Sequence, residues 1–206
     1  MAETEATTLE RIHTAAKQEF LEKGFRSASL RNIVKTAGVT TGAFYGYYKS
    51  KEELFDALVG AQYQTFMGMF LETQEAFTHL SAEEQRENMG VQSGAKLAEM
   101  TDYAYENLDV FKLLLCCAEG TKYENMVHEM VEVEISATHA FAKVMEEMGM
   151  PAYHVDPYLE HMIVSGMFSA FFELIIHDVP QENAKGYVQN LIDFYTAGWE
   201  RIMNLR

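Results

Sequence analysis

The chain has 206 residues, 48% of them hydrophobic and 23% charged, with a net charge of −15. This is the balance of an ordinary soluble globular protein, either one large domain or a small one joined to a larger one. Only three prolines and long runs of Ala, Leu, Met, Glu and Lys weigh against sheet and towards helix, and two adjacent cysteines, Cys116 and Cys117, exclude a disulfide framework and fit a reducing compartment.

The acidic start has no apolar h-region, so no signal peptide is expected. No stretch is expected to reach the ~18 apolar residues of a membrane span, which leaves a cytoplasmic protein with no membrane partner. Net acidity argues against nucleic acid until the charges are placed. Residues 1–50 hold seven Lys/Arg against five acids, a balance of +2; the other 156 residues hold nine against 26, a balance of −17. Because salt confines charge effects to ~8–10 Å, a locally basic face can still bind phosphate.

Thr7 and Glu10 have capping-box spacing, and the apolar face Leu9, Ile12, Ala16, Phe20 predicts a helix from about Thr8 to Lys23, ended by Gly24. Ser29 is a good N-cap for a short helix that stops before Gly38, a glycine suited to the left-handed conformation of a tight turn. Val39 is placed to plug the gap between helices and Thr40 to cap the next. A helix of about nine residues, a Gly turn and another short helix is helix-turn-helix spacing.

The third helix, roughly Thr41–Tyr47, carries two glycines in its seven residues and is too short to hold itself. Close approach to another backbone, protein or DNA, is the reason expected. Ser50 and Glu53 repeat the capping-box spacing and open a long helix to about Leu80. Lys51 then lies in its first turn, where the helix dipole disfavours a cation, and an arriving phosphate would resolve the conflict. A polar stretch near Ser81–Asn88 is expected to separate helices. Further helices are expected at Val91–Tyr105, Val110–Ala118, Glu124–Met148, Pro157–His177 and Ala184–Met203.

From Gly24 to Phe55 the sequence resembles the TetR family of transcriptional regulators. The resemblance rests on Gly24, Ser29, Ile33, Ala37-Gly38-Val39, Gly42, Tyr45, Tyr48, Ser50-Lys51 and Leu54. It departs from the family at Ala28, Val34, Thr41 and Tyr48, which puts individual phosphate contacts in doubt. The resemblance implies an all-α protein. Its three-helix helix-turn-helix DNA-binding domain (residues 1–50) would precede a larger ligand-binding and dimerisation domain (51–206). It also implies that Thr41–Tyr47 enters the major groove. Ser29, Arg31, Thr40, Thr41, Gly42, Ala43, Tyr45, Tyr47 and Lys51 are the expected DNA-binding residues. Tyr45 and Lys51 would hold phosphate; Arg31, Thr41 and Tyr47 would reach base edges, and Ala43 a thymine methyl. The residues leave alternatives open: Tyr47 and Tyr48 partly buried, Arg31 merely solvated.

In the larger part, the helix at Pro157–His177 is apolar nearly all round, which marks burial; it reads as too short for a bilayer. The last helix has two apolar stripes and so two partners. In the family these two helices pair with their copies, which implies a homodimer through Ser165, Ser169, Phe172, Leu191, Phe194, Tyr195 and Trp199. Met67, Met100, Tyr103, Phe111, Met126 and Met130 are the candidates to line an adaptable apolar cavity. Its expected occupant is an apolar small-molecule effector, to which the many carboxylates allow a positive charge.

The expected function is a ligand-responsive repressor bound to a near-palindromic double-stranded operator and released by that effector. No cofactor and no catalytic residue is expected, since no nucleophile elbow, phosphate loop or dinucleotide motif occurs. The alternative is a metal- or cargo-binding helical module without DNA binding. For it speaks a face shared by Glu124, His128, Glu132 and His139, which reads more simply as a solvated stripe than as a metal site.

Overall fold

The computed structural model describes residues 7–88, 91–151 and 153–204, and among them every regular element is a helix. The helices are α1 (Thr8–Ser27), α2 (Leu30–Thr36), α3 (Thr41–Tyr45), α4 (Lys51–Thr78), α5 (Ala82–Asn88), α6 (Val91–Glu106), α7 (Leu108–Cys116), α8 (Met126–Glu147), α9 (Pro157–Ile176) and α10 (Gln181–Ile202). They form two compact units. The first holds the chain up to Gln64 together with Asn107–Glu124; the second holds Thr65–Glu106 and Asn125 onward. A single cut after residue 50 therefore does not describe the packing, because α7 returns to the N-terminal helices.

Local signals set the start of α1. Thr7 Oγ1 accepts from the Glu10 amide at 3.2 Å, and the Glu10 carboxylate accepts from the Thr7 amide at 2.7 Å, the reciprocal box the spacing predicts. The Thr7 amide, and after it the Thr7 hydroxyl, hold the Glu10 carboxyl below its usual range. Gly24 does interrupt the helix, at φ +70°, ψ 162°, a region L side chains avoid. The chain nevertheless winds on to Ser27 across the kink. Phe20, Phe25 and Phe55 meet there with ring centroids 5.1–5.8 Å apart. The Phe25 amide donates to the Cys117 carbonyl at 2.9 Å, which brings the α7 end to this kink.

Lys51 does not face outward. Its Nζ donates to the carbonyls of Phe25 (2.6 Å), Arg26 (3.2 Å) and Ala28 (3.1 Å), and lies 4.5 Å from the Phe25 ring centroid. Three ammonium protons meet three carbonyls left over where α1 ends. The cation that opposes the dipole at the start of α4 thus serves the negative end of α1. On the other side of the same linker, Glu19 is 8% exposed, and its Oε1 accepts from Lys23 Nζ (2.9 Å), the Ser29 amide (3.0 Å) and Asn32 Nδ2 (3.3 Å). Lys23 first, then these other donors, keep the Glu19 carboxyl low against the opposing effect of burial. Ser29 precedes α2 as expected, but its side chain makes no capping bond; from α1 the Glu19 carboxylate accepts from the Ser29 amide and the Asn32 side chain instead.

α5 occupies the stretch expected to be a polar separator. Ser81 and Glu84 form a capping box, with Ser81 N to Glu84 Oε2 at 2.9 Å and Glu84 N to Ser81 Oγ at 3.3 Å, so the Ser-x-x-Glu signal was present and polar composition masked it. α9 is 20 residues long, long and apolar enough by length and composition to cross a membrane, contrary to the sequence expectation. Its Val164, Phe168, Phe171, Phe172, Leu174 and Ile175 are buried in the second unit. Glu160 on the same helix is buried too, and accepts from Tyr153 Oη and pairs with His139 Nε2, both at 2.8 Å.

Truncating the Lys51 contact should be costly. Lys51→Met leaves three carbonyls short of a charged donor and should lower stability by about 1.5–3 kcal/mol, read as the urea midpoint with unchanged slope. A midpoint equal to wild type would mean water serves those carbonyls as well.

Candidate functional site

The α2–turn–α3 segment follows from three local facts. Gly38 takes φ +63°, the left-handed turn conformation. Thr40 Oγ1 accepts from the Ala43 amide at 3.1 Å and starts α3. Phe44 is 1% exposed and anchors the helix against Tyr48, itself buried and hydrogen-bonded to the His13 ring. That placement settles the alternatives for Tyr48 on burial. Tyr45 and Tyr47 remain 55% and 47% exposed.

Arg31, Thr40, Thr41, Gly42, Tyr45 and Tyr47 are therefore exposed, and Ala43 is half-buried among them. Arg31 and Lys35 on α2 are exposed, and neither is ion-paired among the described residues. A Cβ at Gly42 would meet only Thr40 Oγ1, at 4.0 Å. No intramolecular crowding asks for glycine there. A Cβ at Gly46 would press the Ala43 carbonyl at 3.2 Å, a tight contact inside the chain that favours glycine. Lys51 is the member that does not join the surface: its ammonium is committed to the end of α1. Ser29 is half-buried in the α1–α2 linker.

The other feature is a cavity of about 180 Å³ within the second unit. α4 contributes Phe70, Thr73, Gln74 and Phe77, α8 contributes Glu134, Ala137, Thr138 and Phe141, and α10 contributes Tyr195 and Trp199. Of the six residues expected to line it, only Met100 does. Met67, Met126 and Met130 are buried core on the same stripes about a turn too early, since 126, 130, 134, 137, 141 run down one face of α8. Phe111 is buried in the other unit, and Tyr103 is half-buried outside the lining.

Glu134 Oε2 accepts from Gln74 Nε2 at 2.7 Å. Burial pushes the Glu134 carboxyl above its ordinary value, and the Gln74 bond offsets this only in part. Lys96, also at the cavity, is paired with Glu99 at 2.8 Å, so its charge is already answered.

The expected dimer residues divide. Ser169 and Phe194 are exposed, the latter by 72%, and Ser165 and Leu191 are half-buried. Phe172 is 1% exposed and packs on Phe171 and Phe66, with centroids 5.0 and 6.0 Å away, so it cannot face a partner. Tyr195 and Trp199 turn to the cavity. Of the small residues, Gly166 admits the Tyr195 hydroxyl, 3.4 Å from where its Cβ would be, so α9 meets α10 of its own chain there.

The sequence profile of bacterial regulatory proteins of the tetR family matches residues 5–58. That N-terminal region belongs to the TetR family. Over 55 residues, 27% of this chain, the region is 42% identical to BepR, an HTH-type transcriptional repressor of Brucella suis biovar 1. Over 71 residues it is 37% identical to UidR, an HTH-type transcriptional regulator of Escherichia coli K12, 34% of this chain. The matched stretch spans 26% and 36% of those two relatives, so it relates TetR-family heads rather than whole proteins. A solved TetR-family member from Streptomyces coelicolor A3 covers 96% of this chain and 93% of its own at TM-score 0.59 and 20% identity, which shows the same all-helical fold.

The raised Glu134 value sets a pH dependence. A carboxyl whose folded value lies above its ordinary 4.5 favours folding while protonated and loses that contribution as pH rises through the folded value. Wild type minus Glu134→Gln should therefore show stability falling from about pH 4.5 upward, measured as paired urea midpoints at acidic and neutral pH. A flat difference would place Glu134 in contact with water.

Proposed function

We propose that the chain is a transcriptional regulator, acting in the cytoplasm as a homodimer, that binds a near-palindromic operator and releases it when a small amphiphile fills the cavity. The observation that carries this is the TetR-family head itself, with Arg31, Lys35, Thr41, Tyr45 and Tyr47 all exposed on α2, α3 and the turn that follows. Repression is the mode proposed, as the N-terminal relative BepR is a repressor.

An exposed apolar stripe supports the dimer. Tyr158 (83% exposed), Met162 (69%) and Ile176 on α9, and Tyr187 and Phe194 (72%) on α10, stay exposed and are left uncovered by the other described residues. Seven rings and one carboxylate support the ligand's chemistry. Phe70, Phe77, Phe141, Phe168, Phe171, Tyr195 and Trp199 with Glu134 make a site for a ring-sized organic cation. An empty space near ~150 Å³ is enough to hold benzene. α4 runs unbroken from Lys51, through the first unit, to Phe70–Phe77 at the cavity, and is the element a ligand would shift.

DNA binding is tested by fluorescence anisotropy on duplexes from upstream of the protein's own gene. If roughly eight phosphates are neutralised, log K falls against log salt with slope near −7, and Arg31→Ala or Lys35→Ala flattens it by about one if that side chain meets phosphate. No binding to any such duplex at low salt would sink the reading. Phe194→Glu should leave monomer or aggregate in light scattering, because it puts an uncompensated charge in the interface; an intact dimer would move the interface elsewhere. A benzyl-bearing quaternary ammonium should weaken operator binding about 5–150-fold, and Glu134→Gln should abolish that response while leaving DNA affinity as it was.

A further inference from the structure

One cluster of metal-ligating side chains in the second unit lies outside the cavity lining. His128 and Glu132 are four residues apart on α8 and share a face. His161, near the start of α9, comes up against them. One donor atom from each of the three lies within 4.8 Å of the other two, and all three residues are exposed. His161 Nε2 is 3.9 Å from Glu132 Oε1, too far for a hydrogen bond, and the two imidazole centroids are 6.0 Å apart. Side chains from two helices converge here without closing on one another.

We propose that His128, Glu132 and His161 bind a divalent first-row transition ion of the zinc class, bridging α8 and α9. Two imidazoles and a carboxylate suit zinc, nickel or copper, whereas calcium and magnesium take oxygen ligands. At metal–ligand distances of 2.0–2.2 Å a tetrahedral ion needs its donors about 3.4 Å apart. The three donors already lie within 4.8 Å of one another on exposed side chains, so the proposal asks for side-chain rotation alone. The ring of His161 is also held. Its Nδ1 lies 3.2 Å from Ser165 Oγ, and with Nδ1 donating to that hydroxyl the lone pair is on Nε2, the nitrogen that faces Glu132. Three protein ligands leave one position for water or a further group.

Two other His–Glu pairs make natural controls. Glu75 with His79 at the end of α4, and Glu173 with His177 at the C-cap of α9, have the same four-residue spacing, at 3.8 and 2.7 Å, and neither gains a third ligand among the described residues. The converging third ligand, not the i,i+4 pair, is what distinguishes the cluster. The proposal is independent of the DNA-binding reading and adds to it.

The test is calorimetric titration of untagged, chelator-treated, full-length protein with zinc, alongside the visible spectrum with cobalt. Saturation at one zinc per chain is expected, with a cobalt band of nitrogen–oxygen ligation. His128→Ala and His161→Ala should each abolish the band and weaken zinc by at least about tenfold, and Ser165→Ala should weaken it about tenfold. His177→Ala should change neither. His128, His161 and His177 are exposed and Ser165 is half-buried, and circular dichroism confirms that the variants fold. Absence of saturable binding, or a His128→Ala/His161→Ala double variant that binds zinc as wild type does, would overturn the proposal. So would equal loss in His177→Ala.

Discussion

The linker between α1 and α2 is held by two charges of opposite sign, and the surface of the N-terminal unit depends on them. Lys51 reaches back from α4 to the carbonyls of Phe25, Arg26 and Ala28, while Glu19 reaches from α1 to the amide of Ser29. Every one of those backbone groups is orphaned by a helix end and must find a partner. Because the donors and acceptors come from long helices, the linker inherits their rigidity. α2 and α3 are short, and neither would persist alone. Their fixed position comes from this clamp, from Phe44 and from the Gly38 turn, which together leave Arg31, Thr41, Tyr45 and Tyr47 at the surface.

The second unit treats two carboxylates, buried Glu160 and half-buried Glu134, in different ways. Glu160 is almost fully buried but receives a tyrosine hydroxyl and faces an imidazole, so both oxygens are served. Among the described residues Glu134 accepts from Gln74, and it is pushed towards its neutral form. A satisfied buried carboxylate belongs to the scaffold; one that is short of partners beside an aromatic cavity is poised to accept a charge from outside. The two cysteines do not share that poise. Burial raises the Cys116 thiol, and burial together with its neighbour takes Cys117 to about 11, so neither is a thiolate near neutral pH.

α9 serves three purposes on three of its faces. Phe168, Phe171 and Phe172 build the core, Tyr158 and Met162 stand in solvent, and His161 lies on the flank towards α8. An all-round apolar helix would normally be buried all round. Here the apolar surface exceeds what one chain can cover, and this excess supports a second copy as the covering partner.

Sequence alone determined whatever rests on groups a few residues apart. The Thr7–Glu10 box, the Gly24 interruption, the Gly38 turn, the Thr40 cap and nearly all the helices are local events, readable from spacing. Even the missed α5 carried its Ser81–Glu84 signal. Tertiary structure decided everything that depends on partners distant in the chain. It turned Lys51 from a phosphate ligand into a helix-end clamp, moved the cavity one turn down α4 and α8 from Met67 and Met130, and drew Tyr195 and Trp199 inward from an expected interface. Periodicity tells which face of a helix is apolar, but which neighbour that face meets, and at what height along the axis, is set by packing between helices that share no local sequence.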